Sequence, residues 1–497
     1  LIKKLLIANR GEIAVRIIHA AREMGIRSVA VYSEADRHAI HAALADEAVF
    51  IGASEPSSSY LDMARIIQAA LETGADAIHP GYGFLSERAE FAEACEAAGV
   101  IFVGPSPAAM KALGSKIEAK QLAVANQVPI TPGFFEKGAS AQQLQDAADS
   151  IGYPVMLKAS SGGGGRGMRV VRESSSIKHE LELASEEALK AFGDGAMMVE
   201  KLIEKPRHIE VQVLADKFGQ VACLFERECS LQRRHQKIIE EAPSVIGASI
   251  WPQMHAAVSR LISAAGYTGA GTVEFMFDEQ SGQFYFLEVN ARLQVEHPVT
   301  ELITGVDLVK WQLRIASGEK LDLSIELLQS DRNAINGHAI EARIVAEDPA
   351  HGFIPSIGKL IGWAEPKRPG IRVDTGFAQG LEISRFYDSL IAKVIAHGET
   401  RADAIEKLRA ALMDFHILGV KTNIPYLLEI LAHPLFQSGD IDTGFLGREF
   451  SEWTGLSDIP PELLAISESA TSSQGNAPGE TQERVTAWAP GDRFRNA

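Results

Sequence analysis

Gly271–Pro298, GTVEFMFDEQSGQFYFLEVNARLQVEHP, is the stretch whose reading decides the fold. Two runs rich in Val, Phe and Tyr flank the polar turn Asp278–Gly282, the signature of a hairpin. Counted outward from Ser281, Glu274 and Glu288 are equidistant, so a simple hairpin sets them opposite each other. Strand alternation then adds Asn290 to the same face. Two carboxylates facing each other across a ladder repel unless something positive lies between them. Hard oxygen ligands of this kind suit Mg²⁺ or Mn²⁺, with waters and substrate phosphates completing the shell. If the strand persists, Asn290, Arg292, Gln294 and Glu296 continue along one side. A cation site, a guanidinium and a candidate base would then share one turn-and-strand unit. The plainer alternative is a salt-bridged surface hairpin.

Around this stretch, 497 residues predict roughly two to four domains with ample core. A hydrophobic content of 46% with 23% charged residues is ordinary for a soluble enzyme. The net charge of −17 argues against a general phosphate-backbone binder, while leaving room for local basic pockets. Cys95, Cys223 and Cys229 offer no disulfide framework and point to a reducing compartment; Cys229 reads as a buried, inert thiol. No apolar run approaches the roughly 20 residues of a membrane helix, so no membrane association is expected. Leu1–Ala8 reads as a first strand rather than a signal peptide, because Asn9-Arg10-Gly11-Glu12 interrupts it at once. The chain begins with Leu, so anything removed upstream would be invisible. The expected location is the cytoplasm, or the mitochondrial matrix if a transit peptide was removed.

Residues 3–8 read as a buried strand, Ile13–Met24 as an amphipathic helix and Val29–Tyr32 as a second strand. Alternation continues to Val103, the pattern of a parallel, doubly wound sheet. The loop His79–Leu85 follows the strand 75–78, where such sheets commonly carry ligands, although a plain turn is the alternative. Residues 105–130 read as a helical connection carrying Lys116, and 131–204 as a small α/β unit. Strands dominate 205–330. Short strands follow from about 335, then helical patterns around Arg401–Phe415 and Thr422–Ala432. Ser467–Glu483 is rich in Ser, Gly, Gln and Glu without large apolar residues, so the tail is expected to be disordered in part.

KASSGGGGRG (158–167) formally contains G-x-G-x-x-G at Gly162, Gly164 and Gly167. The following MRVV reads as a strand rather than a helix, which denies the dinucleotide reading. A strand–glycine turn–strand is instead a flexible flap whose N–H groups can approach phosphate oxygens, with Lys158 as a point charge. A mobile hairpin tip is the bland alternative. In HIEVQVL (208–214), His208, Glu210 and Gln212 share one strand face, and ERECSLQRRHQK (226–237) is dense in polar groups. Each run alone could be a solvated face. Together with the flap and the hairpin they point to a nucleotide site.

These residues resemble biotin carboxylase, of the ATP-grasp superfamily. The matching motifs are IANRGEIAVRI (7–17), HPGYGFLSE (79–87), KASSGGGGRGMRVV (158–171), EKLIEKPRHIEVQVL (200–214), ERECSLQRRHQK (226–237), GAGTVEF (269–275), LEVNARLQVEHPVTE (287–301) and GHAIEARIVAEDP (337–349). They agree in order and spacing over about residues 1–450. LEVNARLQVEHP is more similar to the subunits for propionyl-CoA and methylcrotonyl-CoA than to the common bacterial fatty-acid-synthesis form. The resemblance implies an α/β multi-domain fold. It comprises a Rossmann-like N-terminal domain (1–114), an ATP-grasp domain (115–330) with a mobile glycine-rich lid at about 131–204, a mixed α+β C-terminal domain (331–450) and a tail (451–497). It further implies that Lys116, Lys158, Gly164, Gly165, His208, Gln232 and His235 hold ATP, with Glu200, Lys201, Leu202 and Ile203 beside adenine. Glu274, Glu288 and Asn290 would hold Mg²⁺ or Mn²⁺. Lys237, Arg292, Gln294 and Val295 would hold bicarbonate, Glu296 would be the base, and Arg343 would face biotin.

The implied reaction is ATP-dependent carboxylation of biotin with bicarbonate through carboxyphosphate, the first half-reaction of an acyl-CoA carboxylase. The implied partners are a biotin carboxyl carrier protein or domain and a carboxyltransferase subunit, with a homodimer inside a larger complex and no nucleic acid. Ala109-Met110-Lys111 imitates a biotin-accepting A-M-K-M, but Ala112 follows and the surroundings read as a helix, so Lys111 is expected to stay unmodified. Two other readings compete: a different ATP-grasp ligase, such as a carbamoyl-phosphate or carboxyaminoimidazole enzyme, and a non-catalytic ATP-binding assembly subunit.

Overall fold

The structure is a computed structural model that describes residues 1–136, 138–160, 167–322 and 331–455. Five short strands open it: β1 (Lys4–Ile7), β2 (Arg27–Ser33), β3 (Glu47–Gly52), β4 (Ala77–His79) and β5 (Ile101–Phe102). They pair in parallel in the order β3-β2-β1-β4-β5. Such strands need apolar side chains on both faces. In β1, Leu5 and Ile7 pack with Ile13 and Ile17 of the helix Gly11–Glu23. Leu6 points into the opposite core, with Val29, Val31 and Ile66. The loop His79–Leu85 leaves the C-terminal end of β4, and Asn9 ties it down by donating from its amide to the carbonyls of Pro80 and Tyr82, both at 2.7 Å.

A second, four-stranded sheet runs β6-β9-β7-β8, with β6 (Gly133–Phe134), β7 (Val155–Ala159), β8 (Met168–Val171) and β9 (Met197–Lys201) all antiparallel. MRVV is thus a strand, paired with the strand that carries Lys158. The helices Ala141–Ile151 and Ile177–Phe192 cover this sheet through Leu144, Ala148, Ile177, Leu181 and Ala184. The flap glycines Gly164 and Gly165 lie outside the described residues, as does the tail from 456.

The site rests on an eight-stranded sheet. Its strands include β10 (Pro206–Ala215), β11 (Val221–Arg233), β12 (Gln236–Ala242), β13 (Gly269–Asp278), β14 (Gln283–Asn290) and β15 (His338–Val345). The order is β14-β13-β10-β11-β12-β15, followed by the strands Leu390–Gly398 and Ile371–Thr375. One face of β10, β11 and β13 is apolar and packs Val211, Val213, Phe225 and Phe275 against the helix Gly247–Ala264. The other face carries the charges.

In the hairpin β13–β14, Glu274 does lie opposite Glu288 and Thr272 opposite Asn290. The route differs from a simple hairpin. Near the turn the pairs are Asp278↔Gln283 and Phe275↔Phe286, and an irregularity beyond Phe275 shifts the register by one residue. The expectation that the strand persists to Glu296 fails. β14 ends at Asn290, the chain loops through Arg292–Val295, and Glu296 is the N-cap of the helix His297–Thr304, with Pro298 in its first turn. Residues after Asn290 therefore leave the sheet plane and fold back over it. Two further short helices, Pro434–Ser438 and Phe445–Glu449, extend the C-terminal region beyond the helical patterns read from the sequence. No helix among the described residues is long and apolar enough to cross a membrane.

Candidate active site

Cross-strand registers build the site. Glu288 on β14 faces Glu274 on β13, Glu274 faces Glu210 on β10, and Glu210 faces Arg227 on β11. Three carboxylates in one row would repel. The fold inserts a cation at each. Lys116, the first residue of the helix Lys116–Ala125, approaches Glu288 at 3.1 Å. Lys237 on β12 bonds Glu210 at 2.6 Å, Glu274 at 2.9 Å and Glu296 at 2.6 Å. Arg227 closes the far end. Its fully buried guanidinium donates to Glu210, Gln212, Thr272, Gln294 and Thr300 at 2.5–3.0 Å. Gln294 in turn donates to Glu274 at 3.0 Å.

His208 lies two residues from Glu210 on the same face, 3.3 Å from Glu274 and 3.6 Å from Glu210. Burial alone would push its imidazole down, but Glu274 overrides it and raises the ring to about 9. The Gln232 amide meets His208 Nδ1 at 3.0 Å. Burial would also disfavour the Lys237 ammonium; its three carboxylates hold it well above the usual range. Glu296 answers the same balance from the other side. Burial pushes it up, and Lys237, then Arg343 and Arg227, hold it below the ordinary carboxylate value against the opposing charge of Glu210. Arg343 on β15 donates to the second Glu296 oxygen at 2.8 Å and to Glu240 at 2.5 Å. Arg292 bonds the Asn290 amide oxygen at 2.9 Å and pairs with Glu87 at 3.1 Å.

Beside this centre, Glu200 on β9 is buried between Lys158 and Lys120, 2.7 Å from each. The Lys201 amine turns away to the carbonyls of Gly152 and Tyr153, and half-buried Leu202 and Ile203 follow. His235 is exposed at the tip of the β11–β12 hairpin, where Arg234 and His235 both have positive φ (50° and 65°), as a two-residue I′ turn requires. The half-buried Val295 offers its carbonyl to Lys393 at 2.9 Å.

The structure thus gathers Lys237, Glu274, Glu296, His208, Gln232, Gln294 and Arg343 in one connected network. Around it lie Glu288 with Lys116, Arg292 with Asn290 and Glu87, and Glu200 with Lys158 and Lys120. Strand alternation puts Glu210 on the polar face without assigning it a role, and the sequence motifs assign none to Arg227, Lys120, Glu240 or Lys393. For Lys393 the signal is a charge inside the strongly apolar stretch LIAKVIA; Arg227, inside the polar run 226–237, offers none. Cys229 is buried, with a thiol pushed well above its usual value by burial. Lys111 sits on the helix Pro107–Gly114 beside Glu93.

Family comparisons match this architecture. Residues 1–110 match the biotin carboxylase N-terminal domain. Residues 115–324 match the ATP-binding domain of the carbamoyl-phosphate synthase L chain, and 341–448 the biotin carboxylase C-terminal domain. Biotin carboxylase 1 of Bacillus subtilis is 48% identical over 447 residues, covering 90% of this chain and 98% of that protein. The mitochondrial methylcrotonoyl-CoA carboxylase subunit alpha of Mus musculus is 50% identical over 453 residues, 91% of this chain; the chain spans only 62% of that subunit's length. The biotin carboxylase domain dimer of the Hydrogenobacter thermophilus 2-oxoglutarate carboxylase, solved with MgADP, ADP and bicarbonate, superposes with a TM-score of 0.87 at 46% identity. That match covers 92% of this chain and 100% of the other. With all three domain families matched in order and relatives near half identity over nine-tenths of its length, the chain belongs to the biotin carboxylase family.

Proposed function

We propose that this chain carboxylates biotin with bicarbonate at the expense of ATP, as one component of an acyl-CoA carboxylase whose biotinyl carrier and carboxyltransferase are other chains or domains. The observation that carries the reading is Glu296, buried, ionised and held between the Lys237 ammonium and the Arg343 guanidinium. A carboxylate so placed can accept the proton of bicarbonate when substrate displaces one of its two partners. Lys237, Arg292, Gln294 and the Val295 backbone would orient bicarbonate. Lys116, Lys158, His208, Gln232, His235 and the segment Glu200–Ile203 would hold ATP, and protonated His208 adds positive charge beside the phosphates.

Glu274 and Glu288, directly opposed on neighbouring strands with Asn290 two residues on, fit a hard divalent cation: the donors are all oxygen, and opposed carboxylates favour a cation between them. When bound, Mg²⁺ or Mn²⁺ there would neutralise charge on the ATP phosphates. Bicarbonate oxygen attacks the γ-phosphorus as ADP leaves, giving carboxyphosphate, which breaks into CO₂ and phosphate. Phosphate then takes the N1′ proton of biotin, and N1′ bonds to the carbon of CO₂. Arg343 would stabilise the negative ureido oxygen that develops. Its pairing with Glu296 and Glu240 sets it at the rim of the same network.

The Hydrogenobacter relative, solved as a dimer, supports a homodimer, and three buried cysteines that form no disulfide support a reducing compartment, cytoplasm or mitochondrial matrix. The deciding experiment is ATP hydrolysis with Mg²⁺ in the presence and absence of bicarbonate and free biotin. Hydrolysis should require bicarbonate and rise on adding biotin. Equal rates with and without saturating biotin would overturn the assignment in favour of another ATP-grasp ligase.

A further inference from the structure

Lys393 is a lysine with no access to solvent: its exposure is 0%, on a strand whose neighbours Ile391, Ala392, Val394, Ile395 and Ala396 are all core. Burying an ammonium costs several kcal/mol unless it is paired and fully hydrogen-bonded. Its partners come from three distant parts of the chain. Nζ donates to the carbonyl of Val295 at 2.9 Å, and lies 3.3 Å from Glu12 and 3.5 Å from Asp374. Glu12 sits in the first turn of the helix Gly11–Glu23, beside the parallel sheet, and its other oxygen takes the Tyr82 hydroxyl. Asp374 is the cross-strand neighbour of Lys393 on the strand Ile371–Thr375. On its other side the neighbour is Arg343.

The bond to Val295 is the informative one, because it reaches the Arg292–Glu296 loop, whereas Glu12 and Asp374 already face the ammonium from two other elements. The carbonyl of Val295 belongs to the same rigid peptide plane as the backbone N–H of Glu296. Fixing that oxygen fixes the plane, and with it the position of the Glu296 Cα, in a segment that lies outside any strand. Resting on the functional reading above, we infer that Lys393 is a positioning residue for the bicarbonate site: it anchors the Arg292–Glu296 loop from behind and sets where the Glu296 carboxylate stands. The two acids keep this anchor charged and immobile, while Arg343 is aimed at Glu296 from the adjacent position on the sheet. Carboxylation and loop placement are thereby tied to one cross-strand pair.

The test compares variants that share a charge defect and differ in the donor. Glu12→Gln keeps the Lys393 bond to Val295 and removes one balancing acid. Lys393→Met/Glu12→Gln removes the donor as well, without leaving Glu12 as an unpaired buried charge. In the double variant the KM for bicarbonate should rise about tenfold or more over the single variant and kcat should fall, since small misplacements of a reacting group are costly. The KM for ATP should stay within about twofold. Glu12→Gln alone should lower the melting temperature while leaving the KM for bicarbonate within about twofold of wild type. Equal bicarbonate KM and kcat in the two variants would show that Lys393 only ties domains together and would overturn the inference. Wild-type hydrolysis that does not saturate with bicarbonate would instead overturn the functional reading, and this inference with it.

Discussion

Among the described residues Arg227 is the largest side chain with no exposure, and each of its three nitrogens has an oxygen partner. Removing one member of a buried charge network leaves the others uncompensated, so Arg227→Met should cost ~3–5 kcal/mol, read as a lower denaturant midpoint. Glu288 behaves differently. It is partly exposed and pairs with Lys116, and exposed pairs are worth ~0–1 kcal/mol. Glu288→Gln should therefore leave the melting temperature in chelator nearly unchanged, because it also relieves repulsion from Glu274. ATPase should nonetheless fall about a hundredfold, the scale of losing one electrostatic contributor. Near-normal turnover in this variant would sink the cation assignment. Both glutamates were legible in the sequence because strand alternation has a fixed period of two. Arg227 was not, because residue type does not reveal which face of a strand is covered by a loop or a second sheet.

β9 illustrates how one element carries both stability and site. Glu200 lies between two lysines, and although burial would raise it, Lys158 and Lys120 bring it down to about 2. The sign follows. A depressed carboxylate contributes stability that is fully present above its unfolded value near 4.5 and is lost as pH falls through about 2. Urea midpoints measured from pH 6 downward should show a loss that Glu200→Gln flattens, and the variant should be less stable than wild type by ~3 kcal/mol at pH 7. A variant with an unchanged acid limb would show that the lysines do not hold Glu200. The hairpin shows the limit of reading elements from sequence. Counting from Ser281 reached the correct opposed pair, yet a register shift lies between the turn and Glu274. The path of Arg292–Val295 was unreadable, because it depends on where a helix starts and what that helix packs against, not on periodicity. β7 and β8 were legible, since the helix that a dinucleotide fold needs after its glycines has no counterpart in MRVV.

Two expectations concern the assembled protein. Light scattering at micromolar concentration should report a dimer, as in the Hydrogenobacter relative; a monomer alone would remove that part of the proposal. Intact mass after co-expression with a biotin ligase should show no added biotin, since Lys111 lies on a helix and is paired with Glu93. The order of domains could be read from motifs, but not their fusion. β12 and β15 pair from Ile239↔Ala342 to Ala242↔Ala339, so the regions matching the ATP-binding and C-terminal families share one continuous sheet. Anyone building a hybrid from two relatives inherits that stitch. A crossover at the junction near residue 330 looks natural on a domain map, yet it sets two sequences of different ancestry side by side along four residue pairs, with Arg343 and Glu240 on opposite sides of the graft. Crossovers placed before β10 or after the strand Leu390–Gly398 keep the stitch within one parent, and those are the breakpoints at which homologous exchange should yield working enzymes.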